Sequence, residues 1–413
     1  MSLSAPLPTA VSAKPRLAGV DAARGVALVG MIAVHVFSFY LPETDSVSWL
    51  VPVFSGRAAA LFAVMAGVGL ALTSGGRHRR SGEQAAADRR GIAVRAGVIA
   101  AVGLTLGQVE VDIAVILVFY ALLFILALPL IRVEPRKLAV LTAAWIVLAP
   151  PIAYLARQAL YAAPFLVVLP GDPNWTSAQD PVALLSTLFF TGTYPAFQWL
   201  GYLLLGMLLG RLGLGSPRIR LWLVLAGAAA VAAAQLASAF LLQVLGGAKA
   251  LLATGEIDPW YFQAWDHRLL IDLSEVDEGT SGWWLALDTP HSGTSLDLLN
   301  TMGSAALVLG LCLLLGGTGD GPRGGGSRPL PVLAGPGSMT LSLYTAHVLV
   351  MGAVYASGAE VGEAALFWSQ MVVFTGAGIA YKLASRRGPL EHLTAGAVRT
   401  VRRGADRSAR PAA

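Results

Sequence analysis

The stretch Gly19-Val-Asp-Ala-Ala-Arg-Gly-Val-Ala-Leu-Val-Gly-Met-Ile-Ala-Val-His-Val-Phe37 is apolar except for three ionisable residues, Asp21, Arg24 and His35. Its length fits the roughly 20 residues that an α-helix needs to cross a hydrocarbon core. Runs of this character recur along the chain, over residues 22–40, 50–73, 92–107, 113–131, 138–155, 194–210, 221–245, 298–315, 331–355 and 364–381. Apolar residues make up 55% of the 413 and charged residues only 13%. A soluble domain carries about a quarter charged residues, so much of this surface has to face lipid. The expected fold is all-α: a polytopic membrane bundle of about ten transmembrane helices. Gln108 to Asp112 has to be a tight turn, and residues 184–190 are too short to span and read as a re-entrant or interfacial piece. Pro150, Pro151 and Pro195 fall inside expected spans, where neighbouring helices can satisfy the freed carbonyls.

Charge gives a separate test, because Lys and Arg collect in cytoplasmic loops. With the N-terminus inside, the inner loops hold 25 of the 29 bases against 7 of the 24 acids, a net +18. The outer loops hold the other 4 bases and 17 acids, a net −13. Both termini are therefore expected in the cytoplasm. Residues 1–17 form an N-terminal tail, 18–385 a transmembrane domain with an acidic extracytoplasmic loop at 246–292, and 386–413 a basic tail. The arginines from Arg399 to Arg410 are expected in a disordered segment drawn to anionic membrane lipids.

This basic balance is an orientation signal. No basic stretch is interleaved with aromatics, so nucleic acid is not an expected partner. The single cysteine, Cys312, reads as a small buried hydrophobe. It rules out a disulfide framework or a cysteine-based metal site within one chain, and no metal is expected. Gly316–Gly326 lacks the Lys-Ser/Thr ending of a phosphate loop and reads as a linker. Trp49, Trp199, Trp368, Trp283 and Trp284 lie near span boundaries or in the acidic loop, mostly as interfacial anchors.

Ionisable groups inside spans are the informative ones, since each costs about 2.5 kcal/mol or more at the bilayer centre. Asp21 and Arg24 are three apart and face the same way. Arg24 and His35 share a face roughly 16 Å apart along the axis. Gly25 and Gly30 permit close approach of a neighbouring helix. Arg57 begins a small-residue helix face and either turns toward His35 or snorkels to headgroups. Tyr344 and His347 are three apart, with His347 at a depth similar to His35. His291 and Asp297 close the outer loop, where Thr294 or Ser295 would cap the next helix.

These residues carry a resemblance. Arg16-Leu-x-Gly-Val-Asp-x-x-Arg-Gly-x-Ala27 with Gly30-Met-x-x-x-His35 resembles the first span of YeiB-like bacterial proteins, a domain-of-unknown-function family. That family is related to the catalytic domain of heparan-alpha-glucosaminide N-acetyltransferase. The likeness continues at Gly56–Ala63, Pro290–Thr294 and Gly337–His347. The arginine-to-histidine spacing in the first span and Ser342 to His347 also look similar to acyltransferase-3 membrane acyltransferases. The resemblance implies transfer of an acyl group, acetyl by family default, from cytoplasmic acyl-CoA to an extracytoplasmic acceptor such as a cell-envelope sugar, glycolipid or amine. It implies the bacterial cytoplasmic membrane as the location. The related eukaryotic enzyme places its histidine after the first span; here 37–50 holds none, so His35 or His291 has to serve. His35 would act as general base or form a transient acyl-imidazole, with Arg57, Tyr344 and His347 orienting it or stabilising the oxyanion. Arg24, Arg16 and Asp21 would serve the donor end. The alternative is a secondary transporter or flippase, in which buried Arg and His line a substrate path.

Overall fold

The computed structural model describes residues 17–41, 46–163, 169, 171–255, 281–316 and 330–408. Each of the ten apolar runs contains helix. We label the helices α1 (Ala18–Val36), α2 (Leu50–Phe54), α3 (Arg57–Thr73), α4 (Gly82–Leu106), α5 (Leu117–Ala127), α6 (Pro135–Tyr161), α7 (Pro181–Ser186), α8 (Ala196–Arg211), α9 (Pro217–Ala239), α10 (Gly247–Ala253), α11 (Ser295–Leu315), α12 (Leu330–Ala334), α13 (Thr340–Ser357), α14 (Glu363–Leu383) and α15 (Pro389–Ser408). The one strand pairing among the described residues is a two-residue antiparallel ladder, Tyr40–Leu41 with Ser46–Val47.

Seven helical segments among the described residues are long and apolar enough to cross a membrane: Ala18–Val36, Leu50–Thr73, Pro135–Tyr161, Pro217–Val244, Ser295–Leu315, Thr340–Ser357 and Glu363–Leu383. The other three expected spans are helical but differ in kind. α5 has 11 residues and α8 has 16, while α4 opens on the polar run Gly82-Glu-Gln and carries four charges in its first half.

α1 sits at the centre. Ala22, Ala23, Ala27 and Ile32 have no exposed surface. Glycine lets its neighbours come close, as expected of Gly25 and Gly30. A Cβ on Gly25 would strike the Leu333 backbone, and one on Gly30 would stand 2.6 Å from the Phe54 ring. Outer helices show the reverse pattern. Val140 on α6 is 69% exposed, Leu236 on α9 70% and Val372 on α14 72%, so apolar faces point outward as lipid contact requires.

Several expectations need correction. α1 starts at Ala18, four residues before the expected edge, because the Asp21–Arg24 pair lets both charges enter the helix. α6 runs on to Tyr161, which places Arg157, itself buried, in that helix rather than in an outer loop. Pro195 is the residue before α8 and interrupts nothing. The ninth run is discontinuous: α12 ends at Ala334, Pro336–Ser338 form a 3-10 turn, and α13 restarts at Thr340. Residues 389–408 are helical, not a disordered tail. The α15 residue Glu391 accepts the Leu341 and Ser342 amides at 2.8 and 3.2 Å, which ties that helix to the start of α13. Residues 184–190 form the end of α7 and one wide turn, Thr187–Thr191. Arg16, the Gly-rich run from residue 317 and the middle of the acidic loop, 256–280, lie outside the described residues.

Candidate active site

Three helices meet at a histidine pair. His35 lies in the last turn of α1, His347 in α13 and Gln370 in α14. His35 Nδ1 is 3.0 Å from His347 Nε2, and the two rings are within 8° of coplanar, as an in-plane hydrogen bond needs. His347 Nδ1 is 2.7 Å from Gln370 Oε1. His347 has no exposed surface, whereas His35 is half-buried. Two further contacts hold α1 against α14. Glu363 Oε1 accepts the Ser38 amide at 3.1 Å and the Ser38 hydroxyl at 2.5 Å, and the Phe37 and Phe367 rings lie 5.1 Å apart.

Tyr344 lies one turn before His347 and is 1% exposed. Its hydroxyl sits beside the Ile116 backbone without a hydrogen bond of normal geometry. Arg57 opens α3 directly after Gly56, whose φ of +66° suits glycine. Asp297 and Asp288 are within electrostatic reach of Arg57, and its Nη1 is buried with no hydrogen-bond partner among the described residues. It therefore turns inward to a carboxylate pair, and no hydrogen bond joins it to His35.

The Pro290–Thr294 segment packs over Gly56. His291 takes a left-handed φ of 62°, uncommon for a non-glycine residue and costly enough to need support. Its ring lies 5.8 Å from Tyr194 and 6.4 Å from Trp199, nearly parallel to the latter. Thr294 caps α11, its Oγ1 accepting the Asp297 amide at 3.0 Å. Asp297 Oδ2 in turn accepts the Gly293 amide at 3.0 Å. Behind the segment, Arg157 donates to Gln198 Oε1 at 3.1 Å and Gln198 Nε2 donates to the Gly293 carbonyl at 2.9 Å. A small cavity opens between His291, Trp199, Tyr202 and Asp297.

The other end of α1 is basic. Arg24 pairs with Asp21 at 3.5 Å and donates to the Met65 carbonyl at 3.4 Å. The absence of a side chain at Gly69 makes room for it, since a Cβ there would stand 2.7 Å from Arg24 Nη2. Arg95, on α4, lies over the Phe124 ring at 5.2 Å and within electrostatic reach of Arg24 and Glu391. Leu28 and Met31, between Arg24 and His35, are 1% and 2% exposed, so the stripe between the two ends is packed.

The family model described as heparan-alpha-glucosaminide N-acetyltransferase, catalytic, matches residues 16–239. The match takes in α1 with Arg24 and His35, the Gly56–Ala63 segment, and more than half of the chain. The chain belongs to this family. Membership and the long apolar helices together make it a multi-pass membrane protein of an N-acetyltransferase family. Neither the curated proteins nor the solved structures yield a match. The family match ends before His291, Tyr344, His347 and Gln370; of these the structure bonds His347 to His35, and Gln370 to His347.

Several residues of the candidate site carry no ionisable group. Gln370 and Gln198 are neutral amides that a search for intramembrane charge passes over. Trp199, expected as an interfacial anchor, is 6% exposed and lies against His291, and Trp284 is 1% exposed. Trp49 and Trp368 are 67% and 63% exposed, as anchors should be.

Asp172, in the connection before α7, accepts the Val115 amide at 2.8 Å, close to the start of α5. Burial pushes its carboxyl up from 3.8 to about 6, against the opposing effect of that amide. The folded state thus favours the protonated acid. That contribution is full below about 4 and is lost as pH rises through about 6. Asp172→Asn keeps an acceptor for Val115 and cannot ionise. Its melting temperature is expected to equal the parent's at pH 4 and to exceed it above pH 6; a gap that does not change with pH would contradict the assignment.

Proposed function

We propose that this protein is a membrane acetyltransferase that moves an acetyl group from cytoplasmic acetyl-CoA to an amine or hydroxyl of an extracytoplasmic acceptor, a cell-envelope sugar or glycolipid. The observation that carries this reading is the His35–His347 pair inside a chain of the N-acetyltransferase family. Acyl transfer needs a base for the acceptor and a donor for the developing oxyanion. His35 is the base. As the acceptor nitrogen or oxygen bonds to the thioester carbon, His35 takes its proton. It then returns that proton to the sulfur as the carbon–sulfur bond breaks, giving free CoA thiol. Arg57 Nη1 and the Tyr344 hydroxyl, both buried without hydrogen-bond partners among the described residues, are the donors held ready for the oxyanion.

The roughly 16 Å from Arg24 to His35 compares with an extended pantetheine arm. Arg24, with Arg95 beside it, would hold the donor's phosphates, Asp21 would keep Arg24 in place, and Arg16 would extend the basic end. The finer architecture belongs to the same reading: ten crossings in a bacterial cytoplasmic membrane, both termini inside, and an acidic outer loop over 246–292. The packing of Leu28 and Met31 requires the arm to enter by parting α1 from a neighbour. Purified protein in nanodiscs is expected to release CoA thiol from acetyl-CoA in an acceptor-dependent way. Solute uptake into proteoliposomes with no acetyl transfer to amino sugars or envelope extracts would replace this reading with a transporter.

A further inference from the structure

The hydrogen bonds around the histidine pair fix more than its position. Gln370 lies on the buried stripe of α14 between Phe367 and Phe374, and is 4% exposed. A buried amide is costly unless both ends are satisfied. Here both are. Nε2 lies 3.2 Å from the Leu366 carbonyl, which can only accept, so the nitrogen of the amide belongs on that side. Oε1 therefore faces His347 Nδ1 at 2.7 Å as an acceptor, and Nδ1 carries a proton.

With both rings neutral, the rest follows by elimination. A neutral imidazole protonated at Nδ1 has a bare Nε2. His347 Nε2 then accepts from His35 Nδ1–H across 3.0 Å. His35, protonated at Nδ1, is left with a bare Nε2, which has no hydrogen-bond partner among the described residues, on the half-buried ring of the pair. Building on the acyl-transfer reading above, we infer that Gln370 is a positioning residue that sets the tautomers of His347 and, through it, of His35, so that His35 presents an unprotonated Nε2 to the acceptor. An aliphatic residue at 370 would keep this buried position apolar, but it would offer His347 Nδ1 no acceptor and let both rings sample the opposite tautomer. The neutral amide also leaves the imidazolium formed during transfer without a carboxylate partner, so the proton is held loosely enough to return to the sulfur.

The test uses the full chain in nanodiscs, labelled with ¹⁵N-histidine. Spectra resolve protonated from bare ring nitrogens, and single His→Gln variants assign the signals. The parent is expected to show His347 and His35 both protonated at Nδ1 and bare at Nε2. Gln370→Leu is expected to mix the tautomers and to lower kcat for acetyl transfer about tenfold, or about 1.4 kcal/mol, with KM for acetyl-CoA unchanged. Gln370→Glu restores an acceptor and is expected to restore the Nδ1–H pattern. A parent His35 protonated at Nε2 overturns the inference, and so does a Gln370→Leu variant with the parent's tautomers and kcat. The first of these outcomes needs no variant to fold. Failure of the acyl-transfer reading looks different: a parent protein that releases no CoA thiol from acetyl-CoA with any acceptor sinks that reading, while the parent spectra still decide the role of Gln370.

Discussion

His35→Ala is expected to lower acetyl transfer by about a hundredfold or more, the usual worth of a positioned general base, while the purified protein stays folded. In the bonded pair, His35 is the half-buried ring, and its Nε2 makes no hydrogen bond among the described residues. His347 has both nitrogens engaged, one by His35 and one by Gln370, and no exposed surface. Its removal should act indirectly, by freeing the His35 ring. His291 is held against Trp199 and Tyr194 on a segment that Gln198 and Asp297 fasten at Gly293. Truncating His35 leaves His347 Nε2 without its donor, a loss of about 1–3 kcal/mol for a buried group. Loss of activity by unfolding is therefore the confounding outcome. His35→Gln separates the two, because its amide can still donate to His347 but cannot act as a base. Both variants are expected to elute as the parent does on size exclusion and to release almost no CoA thiol. Full turnover by either would remove His35 from the chemistry.

The residues that carry this reading were unequally legible in the sequence. Asp21, Arg24, His35 and His347 stood out because an ionisable group in a span is expensive, and the structure pairs the first two and bonds the last two. Histidines at like depth were readable from helical periodicity alone. What periodicity cannot supply is which faces meet. Arg57 lies among carboxylates from the 288–297 region because Gly56 accepts the Pro290 turn, a contact between segments more than two hundred residues apart. Gln370 escaped notice because an amide costs less than a charge and looks unremarkable beside Trp368 and Ser369. The break between α12 and α13 was spelled out by Gly335-Pro-Gly337, yet the hydropathy of 331–355 runs straight through it. The arginines from Arg399 onward read as a disordered segment by charge, but residues 389–408 form a helix that packs on α4. Hydropathy reports how much of a segment avoids water, and tertiary contact decides where its polar exceptions go.

The same tertiary logic gives the second large effect, on stability. Gly206→Val is expected to abolish the folded protein at ordinary expression temperature, and Gly206→Ala to cost about 1–3 kcal/mol, the range for overpacking a tight core. α3 and α8 run side by side in the same direction, with Gly67 facing Gly206 and Gly210 facing Val68 and Ala71. A Cβ on Gly206 would collide with the Val64 carbonyl and stand 2.9 Å from the Gly67 Cα. Backbone on both sides leaves no flexible side chain to move aside. In a membrane, where lipid contact is as apolar as helix contact, small residues at such crossings supply most of the packing attraction. The damage would not stay local. α3 carries Arg57 and the Met65 carbonyl that holds Arg24, while α8 carries Gln198 and Trp199, which support the His291 segment. Splaying this pair should therefore loosen both ends of the site at once. Heating detergent-solubilised protein and following the monodisperse peak by fluorescence checks it. Gly97→Ala, on α4 where an added Cβ meets nothing within 4 Å, is the matched control and should melt with the parent. A Gly206→Ala protein that also melts with the parent would show that these two helices do not need backbone contact to hold the site.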